Sequence, residues 1–258
     1  MNTNPHLPAL AIDTLSNHLS GSLFCGDLVY NQSVPSKKHA NVITELIASL
    51  CQQAGISVKD LSYLVVNVGP GSFTGLRIGI STVQALAHAL SIPILPLSNN
   101  LCLAYHGLFI QLNQKKPLDC FFATLIDARL SQVYFSVYGC NDSMLLSPVV
   151  NDSIFDYDKL PAFEQYSEVY TCGEAWQTYS DRIPTAWHNR SFVDCCLPDD
   201  LTSNGIPSAK LFEKFYSRSH IMIAIFLHIQ KSQTLPLIEA SELRANYVRN
   251  DVAKKKST

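Results

Sequence analysis

The chain has 258 residues, of which 19 are Lys or Arg and 21 are Asp or Glu, so only 16 % are charged, against roughly 25 % in average soluble domains. With 47 % hydrophobic residues it has material for a full core, which excludes disordered, collagen-like and low-complexity classes. A net charge of −2 offers no field to draw a phosphate backbone or an anionic membrane, and no apolar run approaches the ~20 residues a spanning helix needs; unaided nucleic-acid binding and membrane insertion are set aside.

In chain order, the first elements read as strands: Leu10 to Asp13, Gly21 to Cys25, a tight turn at Gly26-Asp27, then Leu28 to Gln32. Ser36 is placed to cap a helix whose apolar residues Val42, Ile43, Leu46, Ile47, Leu50, Cys51 and Ala54 recur at three- and four-residue steps until Gly55 stops it. A buried strand is expected at Tyr63 to Val68. Gly69 to Gly75 then leads into a second helix ending near Leu90, with Pro93 and Pro96 punctuating its exit.

The second half opens near Asp119 with strands at Cys120 to Ile126 and Gln132 to Tyr138, followed by a turn at Gly139-Cys140-Asn141-Asp142. Ile126-Asp127 leading to Gly139 echoes Ile12-Asp13 leading to Gly26, which points to a duplicated α/β unit. Residues 151–207, broken by Pro161, Pro184, Pro198 and Pro207, carry little pattern; a helix is expected from about Ser208 to Gln230, and Lys254-Lys255-Lys256 reads as a solvated end. The N-terminus lacks a basic segment followed by an apolar one, so a cytoplasmic location is expected. The eight cysteines show no CxxC spacing and read as small hydrophobes in a reducing compartment.

Chemistry-bearing motifs are few. Gly69-Pro70-Gly71-Ser72-Phe73-Thr74-Gly75, between a strand and a helix, is either a tight structural turn or an anion site at the helix N-terminus. Its spacing is G-x-G-x-x-x-G, no Lys follows as a P-loop requires, and Ser72 lacks the flanking glycines of a nucleophile elbow. Asp13 and Thr14, at the end of the first strand, could position Mg²⁺ and a nucleotide phosphate, or simply cap the turn. The eight histidines include no HxxxH or HExxH pair. The helix from Leu76 to Leu90 carries one formal charge, Arg77, and apolar residues all round its wheel; it is either a central core helix or one whose second face docks on another protein. Gly75 and Gly79 would let a partner helix come close.

Leu10-Ala11-Ile12-Asp13-Thr14, the Lys38-His39 helix start, the block from Gly69 to Gly79, Asp127-Ala128-Arg129 and Tyr247-Val248-Arg249-Asn250-Asp251-Val252-Ala253 together resemble the TsaB (YeaZ) family of tRNA threonylcarbamoyladenosine biosynthesis. The resemblance implies an actin-like ATPase (ribonuclease H-like) α/β fold with two similar lobes and mixed sheets flanked by helices. Its lobes would be 1–108 and 109–207, with a C-terminal helix and tail, 208–258, packing back on them. It implies no catalytic residues, no metal and no cofactor in the chain itself, ATP or ADP entering only in complex with a partner. The partners implied are a TsaD-like paralogue, which performs the transfer, and a small TsaE-like ATPase, with a homodimer when alone, tRNA met only indirectly and no membrane. In TsaD-type proteins a metal sits on an HxxxH pair, and Asn99 and Leu103 fall at those positions here.

The family's pairing surface maps onto the helices at His39 to Ala54 and Leu76 to Leu90, with Val42, Leu46, Leu50, Gly75, Arg77, Gly79, Val83 and Leu86 as expected interface residues and Gly69, Gly71, Ser72 and Gly75 as a structural loop. The family's closing motif usually carries a proline before its tyrosine, whereas here Ala245-Asn246 precede Tyr247. An active actin-like ATPase or small-molecule kinase remains the alternative, disfavoured by the lack of a glycine pair near Asp127-Ala128-Arg129.

Overall fold

A computed structural model of the chain describes residues 7–15, 18–35, 39–114, 120–163, 166, 168–195, 197, 203–212, 214–215 and 217–248. Ser36, Lys38, Asp119, Pro198 and the closing segment from Arg249, with its lysine tail, lie outside the described residues.

The first sheet begins as the alternation predicts, with β1 (Ala9–Asp13), β2 (His18–Cys25) and β3 (Leu28–Pro35) joined antiparallel, and Gly26 at φ +61° in the turn before β3. Helix α1 (His39–Gln53) follows, then β4 (Tyr63–Asn67), which lies parallel to β1. Helix α2 (Phe73–Leu90) leads to β5 (Ile94–Leu97), parallel to β4. Every residue of β1 and β4 is buried, as strands covered on both faces require.

Helix α3 (Asn99–Asn113) carries the chain to a second sheet, whose β6 (Phe121–Arg129), β7 (Gln132–Cys140) and β8 (Leu146–Asp156) form an antiparallel meander. Strand β9 (Val169–Cys172), helix α4 (Ala175–Thr178) and β10 (Ser191–Val193) complete it, β9 parallel to β6 and β10 parallel to β9. The orders β3-β2-β1-β4-β5 and β8-β7-β6-β9-β10 are the same, strand for strand and sense for sense. The faint echo around Asp13 and Asp127 is therefore a true duplication, Asp13 ending β1 and Asp127 lying two residues from the end of β6, the corresponding strand.

Strand β11 (Ser203–Pro207) departs from the simple two-lobe order by pairing with β3, which covers the outer edge of the first sheet. Helix α5 (Arg218–Ser232) starts later than the sequence reading places it. Ser208–Lys210 forms one 3₁₀ turn, Phe212 and Phe215 dip against Phe109, and the Ser217 hydroxyl accepts the His220 N–H at 3.2 Å to start the helix.

Three apolar clusters order these elements in layers. Leu10, Ile12, Leu19 and Leu64 pack under Ile43, Leu46, Leu50 and Leu76 from α1 and α2. Ala9, Ala11 and Phe24, on the other face of the same strands, meet α3 and α5 through Tyr105, Phe109, Met222 and Phe226, which also reach Phe122 of the second sheet. Ala123, Leu125 and Phe135 turn from that sheet to Trp176 and Trp187. The alternation along β1 and β6 thus divides each strand between two cores.

Candidate functional site

The cleft lies where the C-terminal ends of β1 and β6 meet, the place where an open α/β sheet ordinarily holds a ligand. It has a volume of about 670 Å³ between Gly71–Phe73 and Ile126–Arg129, with Asn99, Leu103 and Arg218 also in its wall. Asp13 and Thr14 are absent from that wall, which Leu15 supplies on their side. Asp13 is fully buried and its Oδ1 accepts a hydrogen bond from Asn67 Nδ2 at 2.9 Å. The Thr14 hydroxyl donates to the Gly75 carbonyl at 2.7 Å. Both side chains hold the first strand to its neighbours.

The Gly-rich loop is likewise engaged with its own chain. Asn67 Oδ1 accepts from the Gly69 N–H at 3.1 Å, the Asn99 N–H donates to the Gly69 carbonyl at 2.7 Å, and Asn99 Nδ2 donates to the Pro70 carbonyl at 2.9 Å. Ser72 caps α2, its hydroxyl accepting the Gly75 N–H at 3.3 Å. Gly69, with φ +96° and a Cβ position 3.3 Å from the Asn246 carbonyl, allows the C-terminal segment to lie against the loop.

Asn99 and Leu103 lie on α3 facing this cleft. Asn99 Oδ1 accepts from Asn67 at 3.2 Å and from the Arg218 guanidinium, so its amide is committed at both ends, and Leu103 offers no donor atom. A metal of the HxxxH type does not fit this pair. Among the described residues no group of three or more His, Cys, Asp or Glu side chains is disposed to hold a metal ion.

A second polar network binds the two sheets and the C-terminal segment. Asp152 on β8 accepts from Ser136 at 2.6 Å, Asn100 at 3.0 Å, Tyr138 at 3.3 Å and Asn246 at 2.6 Å. Burial, followed by the Asp152 charge, pushes the Tyr138 phenol far above its ordinary range, so it stays a donor. Asn246 also donates its backbone N–H to the Val68 carbonyl at 2.7 Å.

At the tip of the second sheet the β6–β7 turn is Leu130-Ser131, both at positive φ, with Arg129 also at φ +62°. Asp127 accepts there from the Arg129 N–H at 2.8 Å and the Tyr179 hydroxyl at 3.0 Å.

The helices expected to meet a partner are placed as follows. Leu46, Leu50, Gly75, Gly79 and Val83 are buried inside this chain. A Cβ on Gly75 would stand 2.0 Å from the Thr14 carbonyl oxygen and one on Gly79 2.4 Å from Thr14 Oγ1. The two glycines therefore admit the β1–β2 connection of their own chain, not a partner helix. Val42 and Leu86 are half-buried and Arg77 is exposed. Helix α2 is not apolar all round in effect: Thr74, Arg77, Ser81, Ala85, His88 and Ala89 form an outward face of small or weakly polar residues. At its start the Arg77 guanidinium lies 3.7 Å from the Phe73 ring centroid and donates to the Tyr247 hydroxyl at 3.3 Å, both rings being nearly half exposed, at 45 % and 46 %. The sequence reading named Arg77 but missed Phe73 and Tyr247, because their approach joins residues far apart in the chain; it also missed Asn67, Arg218 and Asp152, whose only local sign is polarity within apolar elements.

Duplicated sheets of one topology around a cleft define this as an actin-like α/β protein. A family model described as "TsaD: tRNA N6-adenosine threonylcarbamoyltransferase" matches residues 27–165. The chain is 32 % identical over 152 residues to the tRNA threonylcarbamoyladenosine biosynthesis protein TsaB of Buchnera aphidicola subsp. Schizaphis graminum, covering 58 % of this chain and 70 % of that one. Against TsaB of Haemophilus influenzae it is 24 % identical over 259 residues, 97 % of each. The solved structure of YeaZ from Pseudomonas aeruginosa superposes with a TM-score of 0.68 at 22 % identity, over 93 % of this chain and 99 % of that one. The chain belongs to the TsaB (YeaZ) family of threonylcarbamoyladenosine biosynthesis proteins, related to TsaD. Among the described residues no helix is long and apolar enough to cross a membrane.

Proposed function

We propose that this chain is a non-catalytic, cytoplasmic subunit that supports a TsaD-like partner in transferring a threonylcarbamoyl group to the tRNA adenosine beside the anticodon. The observation that carries the reading is how the candidate phosphate and metal residues are used: Asp13, Thr14 and Asn99 each make hydrogen bonds within the chain. A subunit that uses these residues to hold its own fold acts through what it binds. Lobes at 1–108 and 109–207 with a returning segment at 208–258 remain the proposed division, the β3–β11 pairing joining the second lobe's end to the first.

The partner surface is proposed on the outward side of α1 and α2, re-centred on Phe73, Arg77 and Tyr247. An arginine lying over one half-exposed aromatic ring and hydrogen-bonded to the hydroxyl of another is a pre-organised anchor of the kind that dominates interface energetics. The buried Leu46, Leu50, Gly75, Gly79 and Val83 shape that surface from beneath. A TsaE-like ATPase is the further partner, tRNA is reached through the complex, and the same face pairs two copies when the chain is alone.

Calorimetric titration of the isolated chain with ATP and Mg²⁺ tests this reading. The expected result is no saturable heat up to millimolar nucleotide; micromolar binding would favour the active ATPase or kinase alternative and overturn the reading.

A further inference from the structure

The segment after α5 crosses from the first sheet to the second. Past Ser232 it follows the outer edge of β5, where Ile238 and Ile94 exchange backbone hydrogen bonds at 2.8 and 2.9 Å, and the Ala240 carbonyl accepts from Gln84 of α2 at 2.8 Å. Leu243 is buried in the cluster beneath α1 and α2. Asn246 and Tyr247 then fasten the segment to three further elements. The Asn246 N–H donates to the Val68 carbonyl just past β4 at 2.7 Å, and its Nδ2 donates to Asp152 of β8 at 2.6 Å. Tyr247 meets Phe73 and Arg77 at the start of α2.

These ties differ in strength. The Phe73 and Tyr247 ring centroids are 6.0 Å apart, the Arg77 bond to the Tyr247 hydroxyl is long at 3.3 Å, and both rings are nearly half exposed, so water competes for each contact. Contacts of that kind do not offset the freedom an irregular segment loses when it is ordered. The Asn246 amide, by contrast, makes a short, half-buried bond to a carboxylate. That carboxylate is itself a fixed point, because Ser136 and Tyr138 of β7 and Asn100 of α3 donate to its other oxygen at 2.6, 3.3 and 3.0 Å. The order of Tyr247 therefore comes through Asn246 from the second sheet, although the aromatic face it completes stands on the first.

We propose, resting on the reading of this face as the partner surface, that Asp152 is its positioning residue: by clasping Asn246 it sets Tyr247 against Phe73 and Arg77 and so forms the face before a partner arrives. Asp152 touches none of these three side chains and acts only through the segment it holds.

The test exchanges the two ends of the clasp in the full chain. Asn246→Asp sets one carboxylate against another, and Asn246→Ala removes the amide without adding charge. Combining Asn246→Asp with Asp152→Asn restores the bond with donor and acceptor traded: the amide at position 152 donates to the carboxylate at position 246, while its oxygen still serves Ser136, Asn100 and Tyr138. In the isolated chain, nuclear Overhauser contacts between the Phe73 and Tyr247 rings should be present in the parent, lost in both single variants and regained in the exchanged pair. Association with a TsaD-like partner should weaken about tenfold in the single variants and return to within about threefold of the parent in the exchanged pair. Ring contacts that persist in Asn246→Ala, or that the exchanged pair does not regain, would overturn the proposal. Ring contacts that follow the clasp while affinity stays constant would support Asp152 as the positioning residue of Tyr247 and overturn instead the reading of this face as the partner surface.

Discussion

Gly75→Ala separates two readings of α2 with one methyl group. The added Cβ would stand 2.0 Å from the Thr14 carbonyl oxygen and 3.1 Å from its carbon, where ordinary contact begins at 3.4 Å. Both are backbone atoms, so no rotamer change relieves the overlap and the helix must retreat by more than an ångström. Overpacking of this kind costs about 1–3 kcal/mol. Moving the helix also stretches the 2.7 Å bond from the Thr14 hydroxyl to the Gly75 carbonyl, at about 1 kcal/mol. Against this, alanine gains at most about 1 kcal/mol over glycine in a helix. The net expectation is a loss of about 1–3 kcal/mol, read by urea denaturation of the isolated chain. Gly79→Ala meets only the Thr14 side-chain oxygen, at 2.4 Å, so adding Thr14→Ala should recover most of its smaller loss, whereas it should not rescue Gly75→Ala. If Gly75→Ala were as stable as the parent, or more stable by the helix-propensity gain, the glycine would face outward and the assignment of its contact to Thr14 would be refuted.

Three further outcomes are expected. His220, buried against Phe215, is held neutral with its pKa pushed down to about 4 by burial. The unfolded chain therefore takes up that proton first as pH falls, so stability declines from about pH 6.5 and the loss levels off near pH 4, at about 3 kcal/mol by linkage; His220→Leu should remove that slope from an acid-titrated urea series, and an unaltered slope would contradict it. Asp152→Ala leaves the donors of Ser136, Asn100 and Asn246 without their acceptor, and should cost about 2–4 kcal/mol and raise amide exchange across residues 243–248, where unchanged exchange would mean that the Asp152–Asn246 bond does not secure the segment. Phe73→Ala and Arg77→Ala should each weaken association with a TsaD-like partner by about tenfold or more in sedimentation titrations while leaving the chain's own stability within ~0.5 kcal/mol; full retention of affinity would place the interface elsewhere.

Where local pattern decides structure, the sequence was a sound guide. The strand-hairpin start with its Gly26-Asp27 turn, the period of α1, the buried run of β4 and the start of the second sheet all rest on neighbours within a few residues. Helix α3 was not anticipated, because packing between two sheets buries Asn99, Asn100, His106 and Gln111 beside its apolar residues and leaves no clean stripe to read. The start of α5 was set too early since Phe212 and Phe215 look helical in spacing but serve the aromatic cluster around Phe109. Glycine spacing in α2 identified a close approach correctly in kind and mistook what approaches, since only the fold brings Thr14 to Gly75 and Gly79. The amide network was illegible for the same reason: Asn67, Asn99 and Arg218 acquire meaning only when three separate elements converge.

The central claim, that the chain acts by being bound, is tested most directly by reconstituted threonylcarbamoyl transfer to tRNA with purified TsaD-like and TsaE-like proteins, with and without this chain. The account predicts no transfer by this chain alone, a marked rise in the partner's turnover when it is added in equimolar amount, and loss of that rise with Arg77→Glu. Transfer by the isolated chain, or partner turnover indifferent to its addition, would contradict it.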